Sequence, residues 1–145
     1  MEEDRTRGVT LLELLALLAV LAVLVGTVAP HMRGMMGGLE LRAGTLRLAS
    51  ALTRARYAAL AHGRDWWVRV VDEASFESGP DGAGASRTRL PAGVRFVSAT
   101  SGGEVRFRPN GWADNATFTL GRGPSERAVV VNQRGRITVR AGAGS

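Results

Sequence analysis

Cysteine is absent from this 145-residue chain. Disulfides, thiolate metal sites and a cysteine nucleophile are therefore excluded, while any redox compartment remains compatible. Lysine is absent as well: all 19 basic residues are arginine. A nucleotide-binding loop of the GxxxxGK type is thus impossible, and the glycine pairs Gly82/Gly84 and Gly121/Gly123 read as turns. The two histidines, His31 and His62, are too few for a histidine-built metal centre within one chain, and surface or helix-end roles suit them better than catalysis. Aromatic residues are 6% of the chain. Trp66, Trp67 and Trp112 are binding aromatics or packing residues, and core or interface packing is expected for at least two of them.

What is present points to a folded protein. The chain is 45% apolar and 22% charged, too apolar for disorder, and its length allows one core of ordinary size. Thirteen acids against the arginines leave a formal net charge of +6. The apolar residues are concentrated. Val9 to Ala29 is apolar except for Thr10, Glu13, Gly26 and Thr27. As a helix it is about 31 Å long, close to the roughly 30 Å of a bilayer core. A helix apolar all round does not suit the surface of so small a soluble domain. The run is therefore a single membrane span or an export signal. Arg5 and Arg7 with Leu14 to Val25 resemble a conventional signal, but Glu13 is costly there and Pro30 follows the best small-residue exit, Thr27-Val28-Ala29. Arginines flank both ends, so flanking charge does not set orientation.

The start of this run carries the most specific clue. Arg7-Gly8-Val9-Thr10-Leu11-Leu12-Glu13-Leu14-Leu15 resembles the class III signal of type IV pilins and type II secretion pseudopilins. In that family a membrane aspartyl peptidase cuts after a glycine and a glutamate stands at the fifth mature position. The resemblance implies cleavage by the prepilin peptidase between Gly8 and Val9, N-methylation of Val9, and a filament-assembly role for Glu13, paired with the new amine of its own or a neighbouring subunit. Val9 stands where the family usually has Phe. The physical logic agrees: Gly8 has no side chain to obstruct a protease, and a carboxylate within a membrane is a functional candidate by default. A glutamate that merely reaches water near the interface is the plainer alternative. Gly26 and Pro30 weaken a helix interior by about 1 and about 3 kcal/mol, and Gly34, Gly37 and Gly38 add a further loose point.

From Leu39 to His62 the pattern is that of an amphipathic helix. Leu41, Thr45, Leu48, Leu52, Ala55 and Ala59 form one stripe, with Arg47, Ser50 and Arg54 opposite. Gly63 is a suitable stop. Strand patterns follow at 66–72, 94–99, 104–108, 116–120, 128–132 and 136–140, with short antiparallel connections. Gln133-Arg134-Gly135 suits a hairpin turn. Glu77 to Ser86, rich in Gly and Pro, reads as a mobile loop. The expected fold is α+β, one sheet packed on the helical stripe.

Three segments of this outer half resemble the GspH/FimT family of minor pilins and pseudopilins. They are Ala51 to Leu60, Val105-Arg106-Phe107-Arg108-Pro109-Asn110-Gly111, and Arg127 to Asn132 leading into Gly135-Arg136. The segment Glu73 to Pro91 matches nothing in that pattern. The resemblance implies a type IV pilin-like fold with a leader (1–8), a transmembrane helix half (9–29), an amphipathic helix half (30–62) and a β-rich periplasmic domain (63–145). It implies a non-enzymatic minor pseudopilin of a type II secretion system, a filament or tip subunit assisting export of folded proteins and held in the bacterial inner membrane. Its partners would be other pseudopilins or pilins, the prepilin peptidase and the membrane, with no cofactor. The alternative is a minor pilin of the type IV pilus, acting in assembly or DNA uptake. Major pseudopilins carry an Asp-rich calcium loop near the C-terminus; no acid follows Glu126 here, and calcium needs six to eight oxygen ligands.

Nucleic-acid binding is the rival function. Arg134, Arg136 and Arg140 share a face of a regular strand with Thr138, while Ile137 and Val139 turn to the core. Gly135-Arg136 resembles the Gly-Arg-x-Arg element of DNA-binding FimT proteins, with Thr138 in place of its second arginine. Three phosphate contacts are a weak electrostatic base, and a solvated arginine face is the simpler reading. A third class, a one-span anchor for a β-rich binding domain, leaves Gly8, Glu13 and Pro30 unexplained.

Overall fold

The structure is a computed structural model describing residues 11–142, with the backbone alone over residues 26–37. The chain divides into two compact units, Met1–Met36 and Gly37–Ser145. One helix, α1 (Leu11–His62), contributes to both. The helix passes through Gly26, Pro30, Gly34, Gly37 and Gly38, where the sequence predicts weakening; the boundary between the units falls at the last two glycines.

The second unit is built on the far part of α1. All six residues of the expected stripe are buried: Leu41, Thr45, Leu48, Leu52, Ala55 and Ala59, with Ala51 beside them. Thr45 is tolerated because its hydroxyl donates to the Leu41 carbonyl one turn back, at 2.7 Å. Arg47, Ser50 and Arg54 are exposed. Gly63 ends the helix in the left-handed region (φ 64°), and its N–H donates to the Ala59 carbonyl at 3.1 Å. The His62 ring stacks on Trp66 at 5.9 Å as the chain turns into the first strand.

Eight strands follow: β1 (Trp66–Asp72), β2 (Ser75–Pro80), β3 (Ser86–Arg89), β4 (Arg95–Ala99), β5 (Glu104–Phe107), β6 (Ala116–Arg122), β7 (Ser125–Val131) and β8 (Ile137–Ala141). They form two four-stranded sheets, ordered β3-β2-β1-β5 and β4-β6-β7-β8. Every pairing is antiparallel. The expected single sheet is thus two. Both line one core with the helix: Val68, Phe76, Val105 and Phe107 from the first, Phe96, Phe118, Leu120, Val129 and Val131 from the second. Phe96 packs edge-on against Phe76 of the other sheet and against Phe118 of its own, each at 6.4 Å between ring centres. These geometries join the sheets by aromatic contact.

The segment read as a loop, Glu77 to Ser86, is the main correction. Half of it is strand: β2 is an interior strand paired on both sides, and β3 begins at Ser86. Only residues 81–85 connect them. Ser-Phe-Glu-Ser-Gly-Pro has poor strand propensity, and what holds it is pairing with β1 and β3 together with the burial of Phe76. Asp72 organises the turn before β2. Its carboxylate accepts from the Ser75 hydroxyl at 2.7 Å, the Ala74 N–H at 2.8 Å and the Arg87 guanidinium at 2.7 Å. The Ser75 and Ala74 hydrogen bonds, then Arg87, hold this carboxyl below its ordinary pKa.

Two outcomes follow. Leu52→Asp places an unpaired carboxylate at the centre of the stripe, costing several kcal/mol against a total stability of about 5–15 kcal/mol. The intact chain in detergent should lose its β-sheet circular dichroism, whereas Leu52→Ala should fold with about 2–5 kcal/mol less stability. A folded, unperturbed Leu52→Asp chain would contradict this packing. Because the Asp72 pKa is lowered by folding, its contribution is complete above the ordinary carboxylate pKa near 3.9 and is lost as pH falls below it through the folded value. Denaturant midpoints of the native chain and Asp72→Asn should therefore converge below about pH 4.

Candidate assembly surfaces

In the first unit, every described side chain from Leu11 to Val25 is exposed. Glu13 lies in the first turn of α1, on a face shared with Leu14, Ala16, Leu17 and Val20. It is the one acid among otherwise apolar described side chains in this unit. Gly8 and Val9, the expected cleavage and methylation positions, lie outside the described residues. Among the described residues no helix is long and apolar enough to cross a membrane. Those side chains include Leu11 to Val25 of the expected span and neither of its ends.

In the second unit, the three family-like segments meet at one place. Arg56, from the first, packs against the turn containing Gly135, from the third, and Gly111, from the second, lies against both that turn and Leu60. Gly135 is buried at φ 69°; a Cβ there would stand 2.9 Å from the Gly111 carbonyl oxygen and 3.0 Å from Arg56 Nε. The Ala113 N–H donates to the Gln133 carbonyl at 2.9 Å, tying the same two loops. Asn132 holds the turn from within, its Oδ1 accepting the N–H of Arg134 at 3.1 Å and of Arg136 at 2.9 Å. These segments therefore brace the fold. Asn132 is the residue whose role the sequence reading missed; an Asn four residues before the second turn arginine is the signal that marks it.

The same turn presents the arginine ridge. Arg134, Arg136 and Arg140 are all exposed, and Thr138 lies between the last two. Ile137 packs on the core as expected. Val139 does not: it is 38% exposed, because β8 is an edge strand that the core covers from one side alone. Several of the other arginines pair with acids. Arg87 pairs with Asp72 and Arg108 with Asp114, while Arg106 bridges Asp81 and Glu104; Arg122 reaches Glu40 at 2.6 Å. The Glu104 hydrogen bond raises the Arg106 pKa above its ordinary value. Among the described residues no acid pairs with Arg134, Arg136 or Arg140, so the ridge holds uncompensated positive charge.

The tryptophans divide. Trp66 packs on the core. Trp67 is half-buried beneath the Arg69 guanidinium, 4.8 Å from its ring centre, and Trp112 is 54% exposed beside the braced turn. Among the described residues no cluster of acids and histidines has metal-ligating geometry.

Comparison with known proteins agrees with this architecture. Residues 45–135 match the family model described as type II transport protein GspH. The minor type IV pilin FimU of Pseudomonas aeruginosa strain PAO1 superposes with a TM-score of 0.61 at 18% identity, covering 72% of this chain and 94% of FimU. The minor pseudopilin EpsH from the type 2 secretion system of Vibrio cholerae superposes with a TM-score of 0.58 at 16% identity, covering 70% of this chain and 97% of EpsH. At such identities the likeness is one of fold. No curated protein matches the sequence.

Gly135→Ala tests the bracing. The left-handed φ and the approach of the Gly111 carbonyl both oppose a Cβ, so the variant should lose about 1–3 kcal/mol. Thermal melting would measure it; an unchanged midpoint would show that the turn is free to move.

Proposed function

Since the match spans most of its length, the chain belongs to the GspH family of type II transport proteins, and from that membership we propose that it is a minor pseudopilin. In this reading it is a filament or tip subunit that assists export of folded proteins through a type II secretion system. It performs no catalysis. It is made as a prepilin, cut between Gly8 and Val9, methylated on Val9 and held in the inner membrane by Val9 to Ala29, with the β-rich domain in the periplasm. The observation that carries the proposal is the pairing of two features in one chain. One is an exposed apolar helical segment with a single acid, Glu13; the other is a domain that matches the family model over residues 45–135.

The chemistry of Glu13 explains why such a helix assembles rather than merely anchors. A carboxylate among apolar side chains is costly in a membrane until a cation joins it. Removal of a leader creates an amine five residues upstream, counting both ends, on the same or a neighbouring helix. An amine on the neighbour makes the ion pair a property of the filament, so subunit addition is favoured by charge neutralisation within a low-dielectric setting. The type IV pilus reading uses the same fold and the same pairing, and differs in the machine joined.

One experiment tests the reading at both levels. In a deletion strain, the restored native chain should support secretion, and its membrane-extracted mass should correspond to loss of residues 1–8 plus one methyl group. Glu13→Ala should remain membrane-inserted, because it removes a charge from an apolar segment, yet fail to restore secretion. Retention of Met1, or full secretion with Glu13→Ala, would sink the proposal; restored piliation without any effect on secretion would transfer it to the pilus.

A further inference from the structure

The backbone of β8 has an unused side. The Asn132 N–H donates to the Arg136 carbonyl at 3.1 Å, and the Gly142 N–H donates to the Glu126 carbonyl at 2.9 Å. Between these pairs the register runs Val130 opposite Thr138 and Ala128 opposite Arg140. Hydrogen-bonded pairs alternate along an antiparallel ladder, so Arg136, Thr138, Arg140 and Gly142 turn their backbone groups toward β7. Ile137, Val139 and Ala141 turn theirs away. β8 is the last strand of its sheet, and among the described residues no backbone group of this chain bonds to these three on the outer side.

Each of the other edges carries a hydrogen bond from elsewhere in the chain. β5 is bridged through Phe107 and Ala113, with the Asp114 N–H donating to the Arg106 carbonyl at 3.1 Å. On β4 the Phe96 N–H donates to the Glu73 carbonyl at 2.7 Å. On β3, Arg47 donates to the Arg89 carbonyl at 2.9 Å. An open row of donors and acceptors on a regular strand is a template for another strand.

The side chains state what that strand must be. On the core face, Val139 is half-exposed at the rim and continues the row of Val129 and Val131. On the outer face, Arg136 and Arg140, flanking Thr138, present charge that no acid of the described chain pairs with. An added antiparallel strand sets alternate residues beside these two rows, and opposite charges on neighbouring strands attract. We propose that the outer edge of β8, from Ile137 to Ala141, is a strand-addition site for an extended segment of another protein in which apolar residues alternate with acidic ones. The apolar residues extend the core face beside Val139, and the acids lie beside Arg136 and Arg140. A second copy of this chain is the wrong partner, because pairing β8 with β8 brings the arginines of both copies onto one face. The arginines thus both repel self-association and select the partner. A nucleic acid fits less well: its phosphates answer the arginines but supply no row of donors and acceptors for the free backbone.

The test uses the intact chain in neutral detergent with three probes: a peptide of alternating Val and Glu, one of alternating Val and Lys, and a short DNA duplex. The Val/Glu peptide should bind and slow hydrogen exchange at the amides of Ile137, Val139 and Ala141, while the Val/Lys peptide should not. The exposed double substitution Arg136→Glu/Arg140→Glu should reverse the order, with roughly a tenfold loss for Val/Glu and a gain for Val/Lys. Binding of the duplex with those three amides still exchanging freely would overturn the proposal in favour of a phosphate-binding ridge. Binding of neither peptide, or equal binding of both, would overturn it as well.

Discussion

Burial of one face of α1 is the constraint on which the second unit depends. Leu41, Leu48, Leu52, Ala55 and Ala59 lie in one buried cluster with apolar residues of both sheets. The strands are short, four to seven residues each, and short strands of this kind require a packed face to persist. Ala51, Ala55 and Ala59 are buried on the same helix face as the leucines. Phe76, Phe96 and Phe118 then close the seam. A helix that serves two sheets at once cannot be exchanged for a loop, which is why the stripe runs without a charged residue from Leu41 to Ala59.

The family match and the proposed assembly surfaces occupy different parts of the chain. Residues 45–135 contain the stripe's centre, the braced loops and the turn at Gly135. Arg56, Gly111 and Gly135 meet there because the fold needs a tight junction, with Gly135 in a conformation and a space that exclude a side chain. Glu13 lies before that region, and β8 with Arg136 and Arg140 lies after it. The shared region is a scaffold. In the proposed reading, assembly uses the apolar leading helix and the strand that follows Gly135.

Much of this was legible in the residues. The buried stripe was read residue by residue because helical periodicity and burial coincide there. β1 was read to its exact ends because Trp-Trp-Val-Arg-Val-Val carries strong strand propensity between Gly63 and the Asp72 turn. The Gly135 hairpin was visible through its turn chemistry. The failures share a cause: they depend on what a segment pairs with. β2 and β3 are polar and hold Gly79 and Pro80, so only their neighbours make them strands. The division into two sheets is a matter of order, which alternation along single strands does not encode. Val139 alternates as a core residue and is left at the rim because β8 is the edge strand of its sheet among the described residues. Gly8 and Val9, the most specific motif positions in the sequence, lie outside the described residues and rest on resemblance alone.

The shared helix face is tested most directly by native-state hydrogen exchange on the intact chain in detergent. Amides of α1 from Leu41 to Ala59 should exchange only through the same global opening that releases β1 of one sheet and β6 and β7 of the other, with a common free energy and a common denaturant dependence. Opening of either sheet while the helix and the other sheet stay protected would contradict the account, because it would mean that the two sheets do not share one core.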